Sequence, residues 1–372
     1  MFAVRRIQLT IYQQHSPQLE SLLLDNESGL ITSQGLLQFL HAMPHIRQLE
    51  SKQGFEKITT EPVMLHLLRR PNLERLALGP VTCIGDSLLQ RAEAMGIDRW
   101  FPALRSLELT EGYPIAVGKF LPTMRHLQQI KLYLWKKEAE FAKDILAPLG
   151  HCKSLQEINF TLGLGSLLRP PLQDVLESIE SWKFLRRLDI GTDGDHLLDA
   201  TVLNPGGLIA LAKGLPHLEI LCLDFYMNYG PDVIQELAAF ALHCSQLREL
   251  DVGVVIDILK LPHVLDCAVF NSMKRLRLRS AFACDAYTPA TVLIALVDDI
   301  DVVLREHMPL LEIFSIWHYN MLGNGSEWIC NELDKRRKLR AVSGRLEGYS
   351  CLHHEQVRAQ LDREMFARAR RA

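Results

Sequence analysis

No C-x-x-C pair, no H-E-x-x-H and no G-x-S-x-G occurs in this chain of 372 residues, and its eight cysteines form no dense framework. Without those spacings there is no sequence basis for a zinc ribbon, a zincin or a hydrolase nucleophile elbow, and the cysteines read as reduced thiols. Charge of one sign is also lacking: 41 Lys and Arg stand against 44 Asp and Glu, for a net charge of -3. No general affinity for nucleic acid follows from that balance. Long apolar runs are missing too, since the strongest, Val292 to Val297, is far too short to span a bilayer. The N-terminus turns basic at Arg5 and Arg6 with no apolar stretch behind it, so the expectation is no secretory signal, no membrane contact and a cytoplasmic or nuclear location.

What the chain has in abundance is one apolar spacing: a first position, a second three later, a third two after that. It reads Leu73/Leu76/Leu78, Leu104/Leu107/Leu109, Leu127/Ile130/Leu132, Leu155/Ile158/Phe160, Leu185/Leu188/Ile190, Leu218/Leu221/Leu223, Leu247/Leu250/Val252, Met273/Leu276/Leu278 and Leu311/Phe314/Ile316. Weaker copies stand at Val4/Ile7/Leu9, Leu19/Leu22/Leu24, Ile46/Leu49 and Leu339/Val342. From Ile46 to Leu339 the period averages about 29 residues, a solenoid length. The last two apolar positions are two apart, as required of a short strand with alternate residues on one side.

Between the strands the punctuation is helical. Pro62, Pro205, Pro231, Pro262 and Pro289 open apolar-periodic stretches, and Asn204 and Thr288 stand where N-caps belong. Met43, Phe101, Met124, Cys152, Trp182, Leu215, Cys244, Phe270 and Met308 each precede a strand's first apolar position by three, where a last helical turn would pack under the next strand. Stretches such as Glu138–Cys152, Leu172–Trp182 and Asp232–Cys244 are predicted helices connecting parallel strands. The predicted fold is α/β: a horseshoe solenoid over 1–350 with a parallel concave sheet and helices on the convex side, closed by a C-terminal capping helix in 351–372.

The pattern resembles the leucine-rich repeat, and its length and helical connections resemble the ribonuclease-inhibitor-like branch. Gly150-His151-Cys152-Lys153-Ser154-Leu155 and Leu242-His243-Cys244-Ser245-Gln246-Leu247 are similar to the cysteine-containing repeats of F-box/leucine-rich-repeat proteins. The family places Asn or Cys eight residues after the first leucine; here Gly112, Trp135, Gly163, Asp193, Tyr226 and Val255 stand there, which predicts irregular turns. The resemblance implies a protein-binding scaffold, a substrate receptor of the ubiquitin-ligase type, with no catalytic residue, cofactor or metal. Its F-box members carry a helical adaptor-binding module ahead of the repeats. Val4 to Leu9 already reads as strand, so the expectation is either a cullin-ligase adaptor bound through a module upstream of Met1, or a freestanding scaffold or inhibitor with no ubiquitin link.

Several segments have a chemical and a structural reading. Gly112 to Phe120 imitates a phosphate loop but has one residue too many between its glycines and Phe120 in place of Ser or Thr. Cys351, His353 and His354 lack a second convergent pair of ligands. Lys335-Arg336-Arg337-Lys338 reads as a nuclear signal or as the basic end of a helix over Glu327–Arg337.

The candidate binding surface is the concave face, where residues flanking the second apolar position stack in columns. Parallel stacking sets Glu249 beside Arg275 and Asp251 beside Arg277, leaving Arg279 beside Gly253 and free to meet an acidic group on a partner. Tyr113, Trp135, Phe225, Tyr226, Tyr229, Phe282, Tyr287, Trp317 and Tyr319 fall beyond the strand ends, either as interface anchors or as local packing. The partner-binding residues expected are Asp251, Arg275, Arg277, Arg279, Trp135, Tyr226 and Trp317, on a monomer that binds an unidentified protein.

Overall fold

The structure, a computed structural model, describes residues 3–4, 18–24, 31–51, 58–80, 85–110, 114–134, 145–162, 182–192, 198–199, 206–227, 233–254, 261–266, 268–280, 290–318 and 331–336. The apolar spacing becomes strand in every full copy. The strands are β1 (Ala3–Val4), β2 (Ser21–Leu24), β3 (Gln48–Ser51), β4 (Arg75–Pro80), β5 (Ser106–Thr110), β6 (Gln129–Leu134) and β7 (Glu157–Leu162). They continue with β8 (Arg187–Thr192), β9 (Leu198–Asp199), β10 (Ile220–Met227), β11 (Glu249–Val254), β12 (Arg275–Ser280) and β13 (Ile313–His318). All 13 belong to one sheet, in chain order except β9, which pairs beside β10 off the main path. Neighbours are parallel and in register, so Leu221 stands between Leu188 and Leu250, apolar row on apolar row.

One face of the sheet is the core. Leu22, Leu49, Leu76, Leu107, Ile130 and Ile158 are almost fully buried, and they share one apolar cluster with helix residues such as Leu36, Phe39 and Leu40. The helices fit the parallel connections that the strands need. They span Ser33–Ala42, Glu61–Leu68, Asp86–Ala94, Pro114–Phe120, Ala147–Leu149, Gly207–Gly214, Val233–His243, Leu261–Asp266 and Ala290–His307, with a further helical segment at 331–336. Thr32 caps the first through its hydroxyl, which accepts from the Gly35 N–H at 3.1 Å. None of the helices among the described residues is long and apolar enough to cross a membrane.

The residues three before each motif are buried, but they act just past the helices rather than in their last turns. Met43 and Leu215 are C-caps, and Cys244 and Met308 follow the final helical residue. Each main-chain oxygen here accepts from the motif's first apolar residue, as Leu247 N–H does to Cys244 O at 2.9 Å and Leu104 N–H to Phe101 O at 3.1 Å. One residue later the chains lock together: Arg47 O accepts from both Glu74 N–H (2.7 Å) and Arg75 N–H (3.0 Å), and this doubled bond recurs from Glu20 O to Lys274 O. Each turn is thereby tied to the turn before it, which places successive repeats without help from side chains.

Several local expectations are corrected. Asn204 is not the cap of its helix; Gly206 is, with φ 95, a left-handed conformation that glycine adopts without strain. Phe101 does not end a helix. The Asp86–Ala94 helix closes earlier, where Gly96 (φ 67) donates to Glu93 O and Ile97 N–H donates to Ala92 O, and Phe101 then packs edge-on against Phe120. Of Glu138–Cys152 only Ala147–Leu149 is α-helix among the described residues. Asp232–Cys244 forms its helix over Val233–His243, whereas Thr288, Leu339, Val342, the 351–372 cap and all of Leu172–Trp182 except Trp182 lie outside the described residues.

Candidate functional site

The sheet face opposite the core carries polar side chains in columns, because residues between buried positions alternate outward. Register then selects neighbours. Arg275 pairs with Glu249 across the strands, Nη1 to Oε2 at 3.1 Å, and Arg277 with Asp251, Nη1 to Oδ2 at 3.6 Å. Both pairs are those expected from stacking, and Asp251 is only 8 % exposed. The same face holds pairs the sequence reading did not name: Arg75 with Glu50 (3.0 Å), Lys131 with Glu108 (3.1 Å) and Arg187 with Asp189 (2.8 Å). Aligning the outward positions of successive repeats would have found Lys131–Glu108, which are register partners, whereas Arg75 faces Gln48 and reaches Glu50 diagonally.

Electrostatics along the middle of this face are dominated by mutual satisfaction. Burial pulls the Lys131 ammonium down, yet contacts with Tyr133 and Glu108 leave it above the usual lysine range. The Lys131 Nζ also lies 5.2 Å from the Tyr133 ring centre, a cation–π geometry. A hydrogen bond to Asp189 raises Arg187 further. Between Asp189 and Asp251 in register stands Cys222, whose thiol is pushed up to about 12 by burial and then by those two carboxylates. It is a protonated thiol at neutral pH, not a nucleophile. No group of three His, Cys, Asp or Glu among the described residues has metal-binding geometry.

Beyond Arg277 on β12 comes Arg279, whose backbone partner in the register is Trp317 of β13. Trp317 and Tyr226 are therefore not in connecting loops as expected, and neither is Phe225. Trp317 lies within β13, while Phe225 and Tyr226 extend β10 because β9 supplies a partner, Leu198 to Phe225 and Asp199 to Tyr226. Tyr113, Trp135, Tyr229, Phe282, Tyr287 and Tyr319 lie outside the described residues.

The refused motifs are occupied otherwise. Lys119, the lysine of the phosphate-loop imitation, bonds Asp86 at 2.8 Å within the Pro114–Phe120 helix. Arg336 of the basic run meets Asp298 at 2.6 Å and Glu332 at 3.4 Å from the 331–336 helical segment. Cys351, His353 and His354 lie outside the described residues. No protein-family model matches the sequence, and no curated protein matches it.

Proposed function

We propose that this chain is a leucine-rich-repeat protein, a horseshoe solenoid that binds a protein partner on its concave sheet face, in the manner of an F-box-type substrate receptor of a ubiquitin ligase. The observation that carries the reading is the register pairing of Arg279 with Trp317 on β12 and β13, next along the strands from the outward ion pairs Glu249–Arg275 and Asp251–Arg277. Large aromatic and arginine side chains are the commonest energetic anchors of protein interfaces. The in-register parallel sheet, apolar on one side and columned on the other, supports the solenoid reading. The proposed protein is a monomer of the cytoplasm or nucleus, without catalytic residues, cofactor or metal.

Affinity capture with mass spectrometry tests the assignment: recovery of cullin-ligase subunits supports the receptor reading, and a partner without them assigns a freestanding scaffold. With a captured partner, Arg279→Glu is expected to slow association and reduce its salt dependence without shifting the melting temperature. Alanine at Trp135, Tyr226 or Trp317 is expected to weaken binding by about 1 kcal/mol or more. Unchanged kinetics across a salt series in the Arg279 variant would remove that residue from the interface.

A further inference from the structure

Among the described residues a two-residue turn precedes each strand from β3 to β8 and from β10 to β13, and these turns stack along one edge of the sheet. In five of the ten such turns described the first residue is proline, at Pro44, Pro71, Pro102, Pro216 and Pro309. Three consecutive repeats depart from this, with Arg125, Lys153 and Lys183 before β6, β7 and β8, while the other departures, Ser245 and Asn271, are uncharged. All three cations are exposed, as is Arg105 ahead of β5. The turns are in direct contact, as Ser154 Oγ donates to Arg125 O at 3.4 Å. Across these four turns, residues 101–105, 124–128, 152–156 and 182–186 include no Asp or Glu. Arg186 shares Glu219 at 3.7 Å, but Arg105, Arg125, Lys153 and Lys183 form no ion pair among the described residues. Beside Lys183 the Phe184 ring stands 61 % exposed, the second most exposed large apolar side chain described.

Arg105, Arg125, Lys153 and Lys183 thus form a stripe of exposed cations, without an ion pair among the described residues, that ends in an exposed ring on a chain of net charge -3. On the sheet face Arg75 pairs with Glu50 and Lys131 with Glu108, whereas these four cations have no carboxylate partner among the described residues. We propose that the turn edge of β5 to β8 docks an acidic segment of a protein partner, its carboxylates meeting Arg105, Arg125, Lys153 and Lys183 and one apolar residue covering Phe184. Adjacent strands are about 4.8 Å apart and same-side residues of an extended peptide about 6.7 Å apart, both within the reach of Lys and Arg side chains. Single-stranded nucleic acid would call for several stacking rings, and a membrane surface for a broad apolar face; one phenylalanine suits neither. The surface is separate from the β11 to β13 face, so either assignment stands or fails without the other.

The test uses the full chain and a fluorescein-labelled poly-glutamate peptide with one central leucine, read by fluorescence anisotropy. Binding that weakens as salt rises is expected, with a loss of about tenfold or more in the double variant Lys153→Glu, Lys183→Glu. Phe184→Ala should weaken binding without changing the salt slope, and Lys274→Glu, on the same edge several repeats away, should leave it unchanged. Circular dichroism melts verify folding; if the double reversal unfolds, Lys153→Gln and Lys183→Gln singly report the same loss. Absence of peptide binding, equal affinity in wild type and variants, or tighter binding to polyuridylate or phosphatidylserine vesicles than to the peptide would overturn the proposal.

Discussion

Arg70, only 6 % exposed, donates from Nη1 to the main-chain oxygen of Leu40 at 2.8 Å and from Nη2 to that of Met43, ending the helix of the preceding repeat. Arg70 lies three residues before Leu73, the position held in other repeats by Cys152, Trp182 and Cys244. Those residues do the same work with different groups. Cys152 Sγ reaches Leu121 O at 3.3 Å, Trp182 Nε1 reaches Leu149 O at 3.2 Å, and Cys244 Sγ reaches Leu215 O at 3.4 Å. The last carbonyls of a helix lack an intrahelical i+4 donor, and in these repeats a side chain of the next one adds a hydrogen bond there.

Replacing Arg70 by leucine should therefore remove a buried charged donor from both the Leu40 and the Met43 oxygen. A loss of about 3 kcal/mol is expected, the range for removing a charged donor from buried acceptors. Urea unfolding of wild type and variant measures it, and an unchanged midpoint would show that water replaces the guanidinium without cost.

Beside Arg70, His66 is held down to about 4, from an ordinary 6.5, by burial and then by His41 and Arg70. Its ring lies 4.3 Å from that of His41, and its Nε2 is 3.3 Å from Arg70 Nη1, a position that suits an acceptor and not a second cation. Between about pH 4 and 6.5 the unfolded chain binds a proton that the folded chain does not, so stability rises with pH across that window and falls on acidification through it. The difference in urea midpoint between pH 7 and pH 5 should shrink in His66→Gln.

Burial pushes the Cys152 and Cys244 thiols up to about 12, leaving them protonated and shielded at neutral pH. Iodoacetamide labelling followed by peptide mass spectrometry should find both unmodified in the native protein and modified in urea. Rapid native labelling of either would mean that its turn opens far more readily than the surrounding core.

Leu188 is buried in the middle of the sheet, flanked in register by Ile158 and Leu221. Leu188→Asp should cost about 4 kcal/mol or more and unfold several repeats together, because each repeat buries its apolar face on its neighbours. A circular dichroism melt matching wild type would contradict that coupling.

Sequence alone determined the strands of the repeated motif and their register. A three-then-two apolar spacing puts the second and third apolar residues on one face of a strand, and stacking identical units aligns Glu249 with Arg275 and Asp251 with Arg277. Only the tertiary structure decided where helices end and what lies at their ends. Asn204 looked like a cap and Phe101 like a last turn, but left-handed backbone at Gly206 and Gly96 relocated both boundaries. Tyr226 became strand because β9, a two-residue element with no apolar period, pairs beside it. Arg70 gave no local signal of burial, since what holds it is a pair of carbonyls about thirty residues earlier in the chain, one repeat away. Local periodicity encodes which face a residue takes; the partners it meets across repeats depend on the turns that stack them.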